Sequence, residues 1–188
     1  MAGHMARDLG VLLLRTDDCW RALKEVVPRD QQPALHLFPG MEGAEQARIG
    51  ELVEQFRKAA GAVCEALEPS IRYQAHAGPG LVVEGAWLLP AFAAALSLPG
   101  EGAAKAAFLF EPSRAELRAT MEAEAGGAAN NEPRHRLADL SYEYGAWLRG
   151  ECQRLGIPAV TARPLATAPR RAAEALGLPV PARTESRG

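Results

Sequence analysis

The chain is poor in the residues that define several protein classes by composition alone. Its 188 residues include three cysteines, Cys19, Cys64 and Cys152, which lie far apart and form no CxxC pair. They predict neither a disulfide framework nor a cysteine-based zinc site. No apolar run approaches the roughly 18 residues of a membrane-spanning helix. The N-terminus also lacks a signal-peptide pattern, because Asp8 interrupts it before a short apolar segment. We therefore expect a cytoplasmic protein without membrane contacts.

An excess of charge of one sign is also missing. The net charge of -2 gives no chain-wide argument for binding nucleic acid or an anionic membrane. A hydrophobic content of 48% with 23% charged residues is typical of a soluble protein with its own core. We predict one domain over residues 1–180, followed by a disordered tail at 181–188. The opening MAGHM is either partly an expression scar or the end of a helix.

Short apolar segments alternate along the chain with helical patterns. This alternation predicts an α/β fold, in which a parallel sheet carries helices on both faces. The clearest helix spans 45–67, where apolar residues recur at three and four, and Pro69 is expected to end it. The predicted strands lie at 11–14, 81–83, 105–110 and 157–162. The other predicted helices lie at 2–9, 16–27, 113–125, 137–155 and 167–176, with a short one within 86–98 and a loop at 28–43.

Acidic residues follow three of the predicted strands within four positions. They are Asp17, Asp18, Glu84 and Glu111. Because the carboxyl ends of parallel strands meet at one edge of a sheet, where α/β proteins bind ligands, we expect these acids to converge. Carboxylates there suit magnesium or the proton of a hydroxyl group. The alternatives are a helix N-cap for Asp17 or Asp18, and a surface loop for Glu84.

Basic residues form two groups in the second half of the chain. Arg114 and Arg118 lie one turn apart on a predicted helix, and Arg134 and Arg136 follow the glycine- and asparagine-rich segment 126–133. Together they can neutralise a transferring phosphoryl group. A charged, solvated helix face is the alternative.

The order of these segments resembles the P-loop small-molecule kinases, the group that includes gluconate, shikimate, chloramphenicol and 2-phosphoglycerate kinases. LGVLLLRTDDCWRAL looks like the second strand of that group with its acidic end, and LVVEGAWLLP looks like the Walker B strand and substrate loop. AAFLFEPSRAELR is similar to the strand that leads into the lid helix. YGAWLRGECQRLGIPAVTARPLATAPRRAAEALG is similar to the closing helix, strand and helix. The resemblance covers most of 6–178 and depends on order and spacing.

The resemblance implies a three-layer P-loop kinase-like sandwich that uses ATP and Mg²⁺ on a small hydroxylated substrate. Asp17 or Asp18 would accept the substrate hydroxyl proton, and Glu84 would hold magnesium through water. A lid at about 113–137 would carry the arginines, and Arg170 or a neighbour would lie near the adenine. Trp20, His36, Phe38 and Trp87 are the candidates for the walls of the substrate pocket.

The chain departs from this family at its most diagnostic part. The first strand and the loop GxxxxGK[ST], which holds the phosphates, have no counterpart here. A misplaced start codon, a deliberately shortened chain and a degenerate protein are the competing explanations. In the family that strand lies between the strands that end at Glu84 and Phe110, so these must either close up or stay unpaired. The alternative function is a non-catalytic, kinase-like domain that binds a ligand or a partner and can form a homodimer.

Overall fold

The computed structural model describes residues 2–36, 47–96, 104–124 and 132–179. These residues form a helix-rich α/β arrangement. The predicted tail at 181–188 and Phe38 lie outside the described residues. In chain order the elements are α1 (Ala2–Leu9), β1 (Leu12–Arg15), α2 (Thr16–Val26), α3 (Ile49–Ala77), β2 (Leu81–Glu84), α4 (Pro90–Ala95), β3 (Phe108–Phe110), α5 (Arg114–Glu124), α6 (Glu132–Leu155), β4 (Ala159–Thr161) and α7 (Ala168–Ala175), with a 3₁₀ turn at Pro33–His36 and another at Leu165–Thr167.

The four strands form two separate parallel pairs. β1 pairs with β2 in the register Leu12↔Leu81 to Arg15↔Glu84, and β3 pairs with β4 from Phe108↔Ala159 to Phe110↔Thr161. Parallel pairing is thus confirmed, but the prediction of one sheet is wrong for the described residues, where β2 and β3 share no ladder. The strands that end at Glu84 and Phe110 therefore remain unpaired with each other.

Both strand pairs nevertheless contribute to the same hydrophobic core. Leu14, Leu81 and Val83 from one pair and Phe108 from the other pack against a cluster centred on α3 and α6. α3 packs directly on α6, and α6 packs on β3. The two helices therefore join the two halves of the fold where the strands do not.

Helix α3 runs well past the point where the sequence predicted its end. It continues through Pro69 to Ala77, over 29 residues in all. Proline removes one backbone hydrogen bond from a helix interior, which usually ends or kinks the helix. Here Ile71 lies beyond the proline and is buried in the core at 5% exposure. Burial of this last apolar turn explains why the helix continues.

Helix α6 begins five residues earlier than predicted, at Glu132 instead of Leu137. Arg134 and Arg136 therefore lie in its first turns and not in a loop. Ser113 caps α5, since its hydroxyl oxygen accepts a hydrogen bond from the Glu116 N–H at 3.2 Å. α5 and α6 pack on each other as a helical hairpin.

Among the described helices, none is both long enough and apolar enough to cross a bilayer.

Candidate functional site

The carboxyl ends of β1 and β2 lie side by side, and polar residues collect there. The register places Arg15 opposite Glu84, and the Arg15 Nε lies 3.3 Å from a Glu84 carboxylate oxygen. Both side chains remain substantially exposed, at 60% and 40%. Glu84 is therefore at the sheet edge predicted for it, with a guanidinium as its neighbour.

Asp17 and Asp18 lie in the first turn of α2, directly after β1. The N-cap position belongs to Arg15, so the alternative reading of either aspartate as the cap is wrong. First-turn carboxylates still favour the positive end of the helix dipole. Both aspartates are exposed. The structure thus brings Asp17, Asp18 and Glu84 to one edge of the β1–β2 pair.

Asp17 differs from Asp18 in having a buried indole as its partner. The Trp87 Nε1–H donates a hydrogen bond to Asp17 Oδ1 at 3.1 Å. The other carboxylate oxygen faces Gly85, where a Cβ atom would lie only 2.9 Å from Oδ2. Asp17 is therefore oriented by the loop that follows β2.

Gly85 has a φ of +136°, and a Cβ at this position would lie 1.9 Å from the Thr16 hydroxyl oxygen. Thr16 is fully buried, and its hydroxyl has no hydrogen-bond partner among the described residues. The Gly85 backbone thus lies close to that hydroxyl, which has almost no exposure to solvent. Only glycine fits here, because it lacks a Cβ and tolerates this backbone conformation.

Five aromatic rings, here called the aromatic stack, form a continuous series of contacts that includes Trp87, the partner of Asp17. Trp87 stacks on Trp20, with ring centroids 4.6 Å apart, and on Phe56, at 4.5 Å. Phe56 contacts Tyr144 at 4.5 Å, and Tyr144 stacks on Trp147 at 5.6 Å. The stack therefore connects α2, the loop after β2, α3 and α6.

Of the four residues predicted to line a substrate pocket, Trp20 and Trp87 are brought together, His36 is not part of their stack, and Phe38 lies outside the described residues. Trp20 Nε1–H donates to the Leu35 carbonyl at 3.0 Å, and the His36 ring binds the Val27 carbonyl through Nε2 at 2.9 Å. These two hydrogen bonds hold the turn Pro33–His36 against the end of α2. In this structure, the Trp20 and His36 side chains therefore make contacts that stabilise the fold.

The α5–α6 hairpin holds the predicted lid arginines. Arg118 forms two hydrogen bonds with the Asp139 carboxylate, at 2.6 and 3.0 Å. Arg114 pairs with Glu143. The hydrogen bonds from Asp139 raise the pKa of Arg118 above its already high value. Both arginines thus bind carboxylates of α6 in this structure.

The remaining predicted arginines lie elsewhere. Arg136 donates to the Ala47 carbonyl at 2.6 Å and so ties α6 to the residues before α3. Arg134 is part-buried in the first turn of α6. Arg170, the residue expected near the adenine, lies exposed on α7 and pairs with Glu174 at 3.3 Å.

Glu111 was expected to converge with the other acids but follows β3, in the second strand pair. Its carboxylate accepts a hydrogen bond from Arg163 Nε at 2.9 Å, and its side chain is 11% exposed. Arg163 also donates to the Thr120 hydroxyl at 2.7 Å. Glu111 therefore belongs to a contact between β3, β4 and α5.

Within the part of the chain that the structure describes, no three His, Cys, Asp or Glu side chains form a group that could hold a metal ion. Magnesium in phosphotransferases is bound by one or two carboxylates together with waters and substrate phosphates. Glu84 can thus contribute one ligand to such an ion. The described residues at this edge do not form a metal site from protein ligands alone.

All three cysteines have raised pKa values. Burial raises the pKa of both the Cys64 and Cys152 thiols to about 11, and it also raises that of Cys19. The Cys64 thiol donates to the Trp87 carbonyl at 3.3 Å. Because the thiolate is the reactive form, a raised pKa disfavours a nucleophilic role for these cysteines.

The sequence alone did not single out Arg15, Thr16 or Arg163. Each lies within two residues of a strand end, and a register assigned to the predicted strands would have placed Arg15 beside Glu84. The Trp87–Asp17 hydrogen bond joins residues 70 positions apart, and no local pattern signals such a contact.

Scans against protein-family models, curated proteins and solved structures found no match to this chain.

Proposed function

We propose that this chain carries the acceptor side of an ATP-dependent phosphotransferase that acts on a small hydroxylated molecule. The proposal depends on the edge of the β1–β2 pair, where Asp17, Glu84 and Gly85 lie together. Parallel α/β folds bind ligands at the carboxyl ends of their strands. This edge is open to a small substrate, because Asp17 and Asp18 are exposed.

One observation favours Asp17 over Asp18 as the carboxylate that receives the hydroxyl proton. Its Oδ1 is held by the indole of Trp87 at 3.1 Å, so its second oxygen keeps a defined direction. A general base must be fixed within hydrogen-bonding distance of the proton that it removes. Asp17 would orient the substrate hydroxyl and accept its proton as phosphoryl transfer proceeds.

ATP with Mg²⁺ would supply the phosphoryl group and neutralise its charge. Because the 188 residues contain no GxxxxGK[ST], a phosphate-binding loop would have to come from outside them. In this proposal Glu84 contributes one ligand to the magnesium shell. Arg114 and Arg118 would exchange their carboxylate partners on α6 for the phosphates as the hairpin closes, with Arg134 and Arg136 beside them and Arg170 toward the adenine.

The first test uses the protein encoded by the complete gene, after the DNA upstream of Met1 has been read. An in-frame GxxxxGK[ST] supports the proposal, and a stop codon directly before Met1 contradicts it. ADP release is then measured with Mg-ATP and a panel of sugars, sugar acids and other small alcohols. We expect Asp17→Asn to lower kcat by about 100- to 10,000-fold.

Asp18→Asn is the matched control, since it removes the same charge one residue away. It should keep kcat within about threefold, because Asp18 lacks the indole contact. Equal losses in the two variants would contradict the assignment of Asp17. For the 188-residue chain alone we expect no micromolar, magnesium-dependent ATP binding, and a calorimetric titration that finds it would contradict the need for an external loop.

A second function, a non-catalytic domain that accepts a strand from a partner or a second copy, is favoured by the separation of the two strand pairs. The edges of β2 and β3 are not joined to each other within the described residues, and unpaired strand edges can bind a further strand. A folded dimer by light scattering, with cooperative melting and no kinase activity, would favour this function. A monomer that transfers phosphate would exclude it.

A further inference from the structure

Trp87 is buried and is held by both ring contacts and hydrogen bonds, which is unlike a side chain that lines an open pocket. It is 3% exposed, and its indole stacks on the rings of both Trp20 and Phe56. Its backbone carbonyl accepts a hydrogen bond from the Cys64 thiol. The preceding carbonyl, of Ala86, accepts one from the Tyr144 hydroxyl at 3.3 Å. These contacts together hold the indole and its backbone in place.

The Nε1–H group of this fixed indole is directed at Asp17. It donates to Oδ1 at 3.1 Å. An indole has no other polar atom and cannot accept a hydrogen bond. The contact thus leaves Oδ2, on the side of Gly85, as the carboxylate oxygen that Trp87 does not engage.

We propose that Trp87 is a positioning residue that holds Asp17 in the orientation needed to accept a substrate hydroxyl proton. This inference rests on the proposed function, because it takes Asp17 as the acceptor carboxylate. Trp87 itself has almost no surface with which to touch the substrate, since it is 3% exposed. The aromatic stack is the support that keeps the donor in place.

The hydrogen bond is tested on the 188-residue chain by ¹⁵N–¹H spectra of the indole groups. The three tryptophans should give three signals, assigned with Trp→Phe variants. Asp17→Ala should shift the Trp87 signal and speed its exchange with solvent, and the control Asp18→Ala should leave both unchanged. A Trp87 signal that does not respond to Asp17→Ala overturns the inference.

The positioning role is tested by kinetics on the complete gene product. Trp87→Phe keeps a ring in the stack but removes the N–H donor. It should lower kcat on the order of 10- to 100-fold with KM within about twofold, because a misdirected carboxylate slows the chemical step. Trp147→Phe changes a ring at the other end of the stack and should leave both constants unchanged. Combined with Asp17→Ala, Trp87→Phe should cause no further loss.

The outcomes separate the two proposals. Normal kcat in Trp87→Phe with a large loss in Asp17→Ala overturns the positioning role and leaves the function standing. An equal loss in Trp147→Phe also overturns it, because the effect would then be general packing. Absence of phosphoryl transfer by the wild-type protein overturns the proposed function and, with it, the catalytic purpose of Trp87.

Discussion

Gly85, at the edge of the β1–β2 pair, is expected not to tolerate a side chain. Its φ of +136° lies in a region that side-chain-bearing residues rarely adopt. The Thr16 oxygen that a Cβ would meet belongs to a fully buried side chain in the first turn of α2. Neither the backbone nor Thr16 can move away without disturbing the position of Asp17.

We therefore expect Gly85→Ala to lower the free energy of unfolding by about 2 kcal/mol or more, the combined cost of backbone strain and overpacking. Urea unfolding followed by tryptophan fluorescence measures it. Gly150→Ala is the matched control, because Gly150 lies inside α6 with open space around it. That variant should gain about 0.5–1 kcal/mol. Equal stabilities for the two variants would contradict the crowding at Gly85.

The sequence predicted the acids of this edge but not how they are held. Asp17, Asp18 and Glu84 could be placed because each follows an apolar run that forms a strand. The partner of Asp17 could not, since Trp87 reaches it only when β1 and β2 lie in register. Glu111 was predicted at the same edge but lies at the other strand pair. The sequence does not reveal which strands become neighbours.

At the scale of elements, the α5–α6 hairpin is joined by charged pairs along its length. Arg118 with Asp139, Arg114 with Glu143 and His135 with Glu122 all connect the two helices. Asp139 is the central member, since it is the least exposed of the carboxylates, at 17%, and also lies 4.0 Å from Arg114. The Asp139 carboxylate therefore interacts with both Arg114 and Arg118.

We expect Asp139→Asn to loosen α5 from α6 without unfolding the domain. Hydrogen–deuterium exchange should show a few-fold faster exchange of the α5 amides, because local opening depends on the contacts that close a segment. Added salt should reproduce part of the effect in the wild-type protein. Glu151→Gln, which breaks an exposed pair with Arg154 within α6, is the control and should leave α5 unchanged. If the α5 amides exchanged equally in both variants, apolar packing alone, and not the Asp139 ion pairs, would hold α5 against α6.

The ends of helices α3 and α6 are set by tertiary packing and not by local sequence patterns. The apolar period of α3 was visible in the sequence, but its extension through Pro69 depends on Ile71 reaching the core. α6 begins early at Glu132 because helical contacts with α5 extend to His135. Periodicity identified these helices, whereas tertiary contacts set their ends.

At the scale of the whole molecule, one core serves both strand pairs. The aromatic stack runs from α2 through α3 to α6, and cations lie on its outer rings, Lys24 over Trp20 and Arg57 over Trp147. Tyr144, near its centre, is buried. Ionisable groups that the fold keeps neutral are therefore part of the packing that joins the two halves.

This packing predicts a loss of stability at alkaline pH. Burial raises the pKa of Cys64 and Cys152 from 9.0 to about 11, and it raises the pKa of Tyr144 well above 10.0. A group with a raised pKa contributes its full stability below the unfolded value and loses it as the pH rises toward the folded value. Between pH 9 and 11 each thiol should therefore lower the free energy of unfolding by up to about 1.4 kcal/mol per pH unit.

Urea unfolding at pH 7, 9, 10 and 11 measures this slope, and tyrosine ionisation should add to it only above pH 10. Cys152→Ala is expected to be less stable at every pH, because it leaves a cavity in place of a fully buried side chain. Its slope above pH 9 should nevertheless be shallower by the contribution of one thiol. Tyr144→Phe should remove only the part above pH 10. A free energy of unfolding that stays constant from pH 7 to 11 would show that these groups are not held neutral by the core.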